Sequence, residues 1–351
     1  MKYTEALDEL KNKHAQDGYF VKYVPGLQEE SGFLDPNAKK EIQMFQQENE
    51  NINHQPTLQE IRDSMGWRAT KDIAVLPLKI EERVTDSNVK VRIYQKKTLK
   101  EKVPALIFIH GGGFFGGSLN NVENPCRALA DKADIKVISV DYSLAPEKPY
   151  PNGLLDCYHA VKWVYENAAE LSIDPRKIAI AGDSAGGNLS FTTSLLDRAL
   201  GTNFIKAEVL IYPATVLRSD INGELWDLKK WGMKADKALI SEYIMNFASS
   251  CDNVDKMYAP YIQPDIPFIA PLFASQLADI PSTLFLIGEF DPLRIQGEKL
   301  FNLMKEEGAS VEYIRYNGMI HAFMDKIGDF PQAEDLINET VQFIMNTFTT
   351  V

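Results

Sequence analysis

An α/β protein with a mostly parallel central sheet flanked by helices is predicted from three features of the chain. Short, fully apolar runs recur at Ala105–Ile109, Ile135–Val140, Lys177–Ala181, Ala207–Tyr212, Thr283–Ile287 and Val311–Tyr316. Such runs mark strands buried on both faces. They alternate with helical stretches at Pro125–Ala133, Leu154–Ala169, Asn188–Leu200, Ile295–Glu307 and Pro331–Phe348, as parallel crossovers require. Between the runs ending at Tyr212 and starting at Thr283 lie about 70 residues without a clear parallel strand, which is long for a loop and suits an inserted lid.

Taken in order, the elements differ in texture. Residues 1–70 are polar, with weak helical periodicity over Tyr3–His14 and Ala38–Glu50 and breakers at Pro25-Gly26 and Pro36. They are expected to be helices contributing to a cap rather than an independent domain. Ile73–Val84 and Val89–Gln95 read as an antiparallel pair around the turn residues Asp86-Ser87-Asn88. The expected division is a catalytic core over 71–216 and 264–351, with a cap insertion over 217–263. The last strand, Val311–Tyr316, is expected at a sheet edge, where an exposed ladder favours a homodimer.

Composition narrows the partners. The 351 residues are 45% hydrophobic and 25% charged, in the range of a chain with a substantial core. Lys+Arg 37 against Asp+Glu 49 gives a net charge of −12, which disfavours nucleic acid and anionic membrane as partners. The N-terminus carries no apolar signal core, and no apolar run approaches the roughly 18–20 residues of a membrane span. Cys126, Cys157 and Cys251 are too few and too scattered for a disulfide framework or a zinc site. A cytoplasmic protein with no cofactor and no metal is therefore expected.

Gly182-Asp183-Ser184-Ala185-Gly186 fits G-x-S-x-G after a strand and before a helix. A serine at that strand-to-helix turn projects its hydroxyl beyond the carboxyl edge of the sheet, while the flanking glycines let chain and helix pass closely. The plainer alternative is a tight turn in which Ser184 only caps the helix. His110-Gly111-Gly112-Gly113 follows an apolar strand, and its glycines leave backbone N–H groups free to face an oxyanion. Gly111-x-Gly113-x-x-Gly116, with Asp141 ending the next strand, also matches the dinucleotide fingerprint of an oxidoreductase. That fingerprint needs a helix opening on its last glycine. Here Ser118–Pro125 intervenes, and Phe114 and Phe115 obstruct the approach of a pyrophosphate. A Walker loop is excluded because no Lys-Ser/Thr follows.

A serine nucleophile needs a base and an orienting acid, in the order Ser, Asp or Glu, His. Of His14, His54, His110, His159 and His321, only His321 follows Ser184, in a loop beyond an apolar strand. For the acid, Glu289 and Asp291 both follow Thr283–Ile287, and spacing does not separate them. Asp291-Pro292 is also a good helix start. Trp226, Trp231, Met233, Tyr258 and Tyr261 either line a pocket or pack a lid, and Glu147 and Asp156 read as structural.

With these residues in view, the chain resembles the hormone-sensitive-lipase-like esterases of the α/β-hydrolase fold. His110–Gly113, Asp141–Glu147, Gly182–Gly187, Asp291–Arg294 and His321-Ala322-Phe323 follow that family's motifs in its order, over about residues 72–345. The resemblance implies Ser184 as nucleophile, Asp291 as acid, and His321 as base. It implies Gly112, Gly113 and Ala185 as oxyanion N–H donors, supported by His110, Gly111 and Asp183, with a helical cap over the site. Ser143 stands where the family commonly has Arg, and Ile295 where it commonly has an acidic residue. The implied activity is hydrolysis of short-chain acyl esters, small molecules, through an acyl-enzyme. The rivals are a small-ligand receptor or an amidase on the same fold.

Overall fold

The computed structural model describes residues 1–27, 29–50, 56–65, 70–99, 101–217, 223–251 and 254–349. Positions 28, 51–55 and 66–69 of the N-terminal segment, and 218–222 and 252–253 of the expected insertion, lie outside the described residues.

Along the chain the elements are α1 (Tyr3–Glu9), β1 (His14–Gln16), β2 (Tyr19–Lys22), α2 (Pro36–Glu50), α3 (Leu58–Ser64), β3 (Leu78–Val84), β4 (Lys90–Lys96) and β5 (Val103–Ile109). They continue as α4 (Glu123–Lys132), β6 (Lys136–Asp141), α5 (Asn152–Glu166), β7 (Ile173–Asp183), α6 (Ala185–Ala199) and β8 (Ile205–Ile211). After β8 come two 3-10 turns, α7 (Lys237–Cys251) and α8 (Val254–Tyr258). The chain closes with β9 (Ser282–Gly288), α9 (Arg294–Glu306), β10 (Val311–Tyr316) and α10 (Pro331–Thr349).

The strands form a 10-stranded sheet in the order β1-β2-β10-β9-β8-β7-β5-β6-β4-β3. From β2 to β6 every neighbouring pair is parallel, and β1, β4 and β3 join antiparallel. Both faces are covered, and β5 shows how. Its Leu106 and Phe108 join one apolar cluster with Leu129 of α4 and Leu336 of α10. Ala105, Ile107 and Ile109 join the other with Val161 of α5 and Leu189 of α6. A strand whose alternate side chains both need apolar partners reads as a continuous apolar run.

Three expectations require correction. The first 70 residues are not helices alone, because β1 and β2 are strands of the main sheet. In consequence β10 is not an edge: β2 pairs with it in parallel, Ile314 opposite Phe20 and Tyr316 opposite Lys22. The edge argument for a homodimer at β10 therefore does not hold. The cause is a buried ion cluster. Lys22 is fully buried, and its ammonium meets Asp335 Oδ2 at 2.5 Å, Glu339 Oε1 at 2.7 Å and the Leu10 carbonyl at 2.6 Å. Strand β2 is thereby tied to α10, with all three ammonium hydrogens used. A smaller correction concerns β3, which starts at Leu78 rather than Ile73. The backbone N–H groups of Val75 and Leu76 instead donate to Asp131.

Candidate active site

Ser184 ends the β7 turn and caps α6 with φ 55° and ψ −116°, in the left-handed half of backbone space that a non-glycine residue adopts only under constraint. The constraint comes from close packing around the turn. A Cβ on Gly186 would collide with the Ile109 carbonyl of β5, so only glycine lets α6 approach the sheet here. The Ser184 N–H donates to the Ile211 carbonyl (2.9 Å) and the Ser184 carbonyl accepts from Ala214 (3.1 Å), fastening the turn to β8 and its exit.

His321 lies in the loop after β10. Its Nε2 is 3.0 Å from Ser184 Oγ and its Nδ1 is 2.8 Å from Asp291 Oδ2. Asp291 is fully buried, and its other oxygen accepts the Leu293 N–H at 2.7 Å, which fixes the carboxylate plane. An ionised carboxylate on Nδ1 selects the tautomer with its proton there, leaving Nε2 to accept from the serine. The three side chains come from three strand ends, β7, β9 and β10, at the carboxyl edge of the sheet, where open α/β sheets place their ligand sites.

Glu289, the competing acid, turns elsewhere. Its Oε1 accepts the Gly32 N–H at 2.8 Å and its Oε2 the Gly318 N–H at 2.9 Å. It therefore ties the N-terminal segment and the His321 loop to the end of β9, and burial pushes its carboxyl above the usual range.

The glycine loop follows β5, the strand paired with β7, and Gly111 meets Asp183, the residue before Ser184. Gly112 has φ 122° and Gly113 φ 60°, and a Cβ on Gly112 would run into the Gly116 carbonyl. No acceptor among the described residues takes the N–H of Gly112, Gly113 or Ala185. The neighbouring side chains hold this loop. Asp183 Oδ1 accepts the Gly111 N–H at 2.9 Å, and burial pushes the Asp183 carboxyl up to about 6 while that N–H and the nearby His321 pull it down. His110 is buried and stacked on Tyr142 at 4.4 Å, with burial lowering its pKa, and its Nδ1 meets the Gly111 carbonyl at 2.8 Å. Helix α4 begins only at Glu123, so no helix opens on Gly116 as a dinucleotide fingerprint requires.

Other side chains at the site carry weaker signals in the sequence. Arg62 of α3 spans the glycine loop, donating to the carbonyls of Phe115 (2.6 Å) and Ala145 (2.9 Å) and gripping Glu147 with both Nη atoms. That grip lowers the Glu147 carboxyl to about 2. Asp156 accepts the Ser143 N–H at 2.8 Å, and Ile295 is buried in the core. Trp231, one of the aromatics expected to line a pocket or pack a lid, is buried and donates its indole N–H to the Asp291 carbonyl at 3.3 Å. Tyr243 accepts the His321 N–H at 3.2 Å, and the Phe247 ring stands edge-on to the imidazole at 5.0 Å. Their four-residue spacing on α7 is a helical signal, but nothing local says which element that face meets. Among the described residues no His/Cys/Asp/Glu group has the arrangement of a metal site, and no helix is long and apolar enough to cross a membrane.

A family model described as the alpha/beta hydrolase fold matches residues 106–325, which include the glycine loop, the turn at Ser184, Asp291 and His321. The carboxylesterase NlhH of Mycobacterium tuberculosis is 34% identical over 252 residues, spanning 71% of this chain and 76% of that protein. Hormone-sensitive lipase of Bos taurus is 40% identical over 114 residues, 32% of this chain and 15% of the lipase. The chain belongs to the α/β-hydrolase family, among its hormone-sensitive-lipase-like esterases. A solved esterase of Pyrobaculum calidifontis superposes on this esterase with a TM-score of 0.73 at 28% identity, covering 91% of this chain and 99% of that one.

Proposed function

We propose that this esterase hydrolyses short-chain carboxylic esters through a Ser184–His321–Asp291 triad and an acyl-enzyme. What carries the reading is the unbroken relay from Ser184 Oγ through the imidazole to Asp291, at 3.0 Å and 2.8 Å. His321 Nε2 takes the Ser184 proton as Oγ attacks the ester carbonyl, and the negative charge passes to the carbonyl oxygen. The N–H groups of Gly112, Gly113 and Ala185 receive that oxyanion, where one donor contributes about 3–4 kcal/mol. The imidazolium returns its proton to the leaving alcohol, and Asp291 stabilises the charged ring meanwhile. Water, deprotonated by the same Nε2, then attacks the acyl carbonyl and releases the acid. Each half-reaction returns the proton it borrows, so the scheme is complete without a cofactor.

The preference for short acyl groups rests on the aromatic rings around the pair. Phe247 stands against His321, and Phe114, within the glycine loop, is stacked on Tyr258 at 4.1 Å. The insertion over 217–263, together with the N-terminal helices, is read as the cap. The test is hydrolysis of p-nitrophenyl esters from acetate to palmitate, with Ser184→Ala alongside. Turnover that peaks from acetate to butyrate and is lost in the variant supports the reading. A rate equal to the variant's on every ester sinks it.

A further inference from the structure

Asp291 and Ser184 engage the two ring nitrogens of His321, but two hydrogen bonds leave the faces of the ring uncovered. The backbone does not cover them either, although the loop itself is fastened, the Gly318 N–H to Glu289 and the Phe290 N–H to the Met319 carbonyl. Side chains from beyond the triad surround the residue instead. Tyr212, just past β8, stands edge-on to the imidazole at 4.9 Å and 64°, and Phe247 of α7 at 5.0 Å and 65°. One helical turn before Phe247, the Tyr243 hydroxyl accepts the His321 N–H at 3.2 Å. The same inserted segment reaches the acid. Trp231 donates to the Asp291 carbonyl, and Arg294 lies over the Trp231 ring at 5.7 Å while donating to the Lys230 carbonyl at 2.8 Å.

We propose that Tyr243 and Phe247 are positioning residues for His321, so that the base holds its working geometry only while helix α7 is docked against it. This rests on His321 being the base of the reaction above. Its physical ground is a difference between the docked and undocked arrangements. With α7 in place, the His321 N–H is held by the Tyr243 hydroxyl and the imidazole has an aromatic edge limiting its rotation. With α7 displaced, water satisfies the N–H equally well, but nothing on that side limits the ring. A displacement of about 1 Å at the base costs about a hundredfold in rate. The Tyr243 hydroxyl suits the task because burial, with Asp291 nearby, raises its pKa and keeps it uncharged. Docking of the inserted segment and assembly of the acid–base pair are thus one event.

The experiment compares Tyr243→Phe, Phe247→Leu and the double variant with wild type on p-nitrophenyl acetate, whose small acyl group reaches least into an acyl pocket. Tyr243→Phe preserves the ring and its volume and removes only the acceptor. Each single variant is expected to lower kcat by about tenfold with KM within about twofold of wild type. The double variant is expected to lose less than the product of the single losses, because both residues act on one histidine. Unchanged kcat with a raised KM would make the two residues pocket lining and overturn the proposal. Wild-type values of both parameters in Tyr243→Phe, measured on protein with an unshifted thermal midpoint, would overturn it as well. A failure of the esterase reading shows separately, as a wild-type rate no higher than that of Ser184→Ala.

Discussion

Glu289 and Asp291 stand at the same end of β9, and their carboxylates serve different partners. Asp291 meets His321 Nδ1 at 2.8 Å, whereas Glu289 receives the backbone N–H groups of Gly32 and Gly318. In the proposed reaction the first contact stabilises the charge that appears on the imidazole; the second holds the loop that carries His321.

Substitution separates these tasks. Asp291→Asn is expected to lower kcat by about 10⁴, because an amide no longer selects the tautomer with the proton on Nδ1. Glu289→Gln turns one acceptor into a donor facing a backbone N–H, at a cost of about 1–3 kcal/mol of stability. Its kcat should exceed that of Asp291→Asn by at least about a hundredfold. Urea unfolding and steady-state rates of both variants check this, and equal losses of kcat would reopen the choice of acid.

Asp183 offers a test of the glycine loop. Asp183→Asn keeps an oxygen for the Gly111 N–H, while Asp183→Ala leaves that N–H without a side-chain acceptor. The alanine variant should lose about tenfold to a hundredfold in kcat through a slip of the neighbouring donors, and the asparagine variant should recover most of it. Comparable losses in both would point to the charge of Asp183 rather than to its hydrogen bond.

Glu208 makes stability depend on pH. It is fully buried on β8, and burial pushes its carboxyl from 4.5 up to about 7. Between those values the folded chain holds a proton that the unfolded chain has released, so stability falls as pH rises from about 4.5 to about 7. The loss from this group is about 3 kcal/mol. Its surroundings suit the neutral form. Thr283 Oγ1 lies 2.7 Å from the Pro281 carbonyl and 3.2 Å from Glu208 Oε2, and its one hydrogen cannot serve both. Glu208→Gln should therefore flatten the pH dependence of the denaturant midpoint and raise stability at pH 8. An unaltered slope would show that Glu208 does not titrate in this range.

Lys22 tests the corrected view of the N-terminal segment. Lys22→Met removes the cation and leaves Asp335 and Glu339 facing each other in a buried site, at an expected cost of about 3–5 kcal/mol. Denaturant unfolding measures it. A cost under about 1 kcal/mol, as for an exposed pair, would mean that β2 is not anchored through this cluster.

Much of the frame was legible because its signals are local. The parallel strands announce themselves as apolar runs, since a strand such as β5 buries both faces wherever it lies in the sheet. The elbow at Ser184 and the loop at His321 depend on residue types within a few positions and on chain order. Strands β1 and β2 carry no such signal. His14–Gln16 and Tyr19–Lys22 are short and mixed in polarity, and they are strands because Lys22 finds Asp335 and Glu339 on α10 and because β10 offers an unpaired edge.

The sequence by itself determined the parallel strands from β5 to β10, the strand-to-helix turn at Ser184, the loop at His321 and the two carboxylates that compete for it, since each follows from the chemistry of a short segment and its place in the order. Tertiary structure decided which carboxylate faces the histidine, what covers β10, and that Trp231, Tyr243 and Phe247 reach Asp291 and His321. Those outcomes depend on contacts between segments far apart in the chain. A side chain's neighbours across such a distance are set by how whole elements pack, which no short stretch of residues encodes.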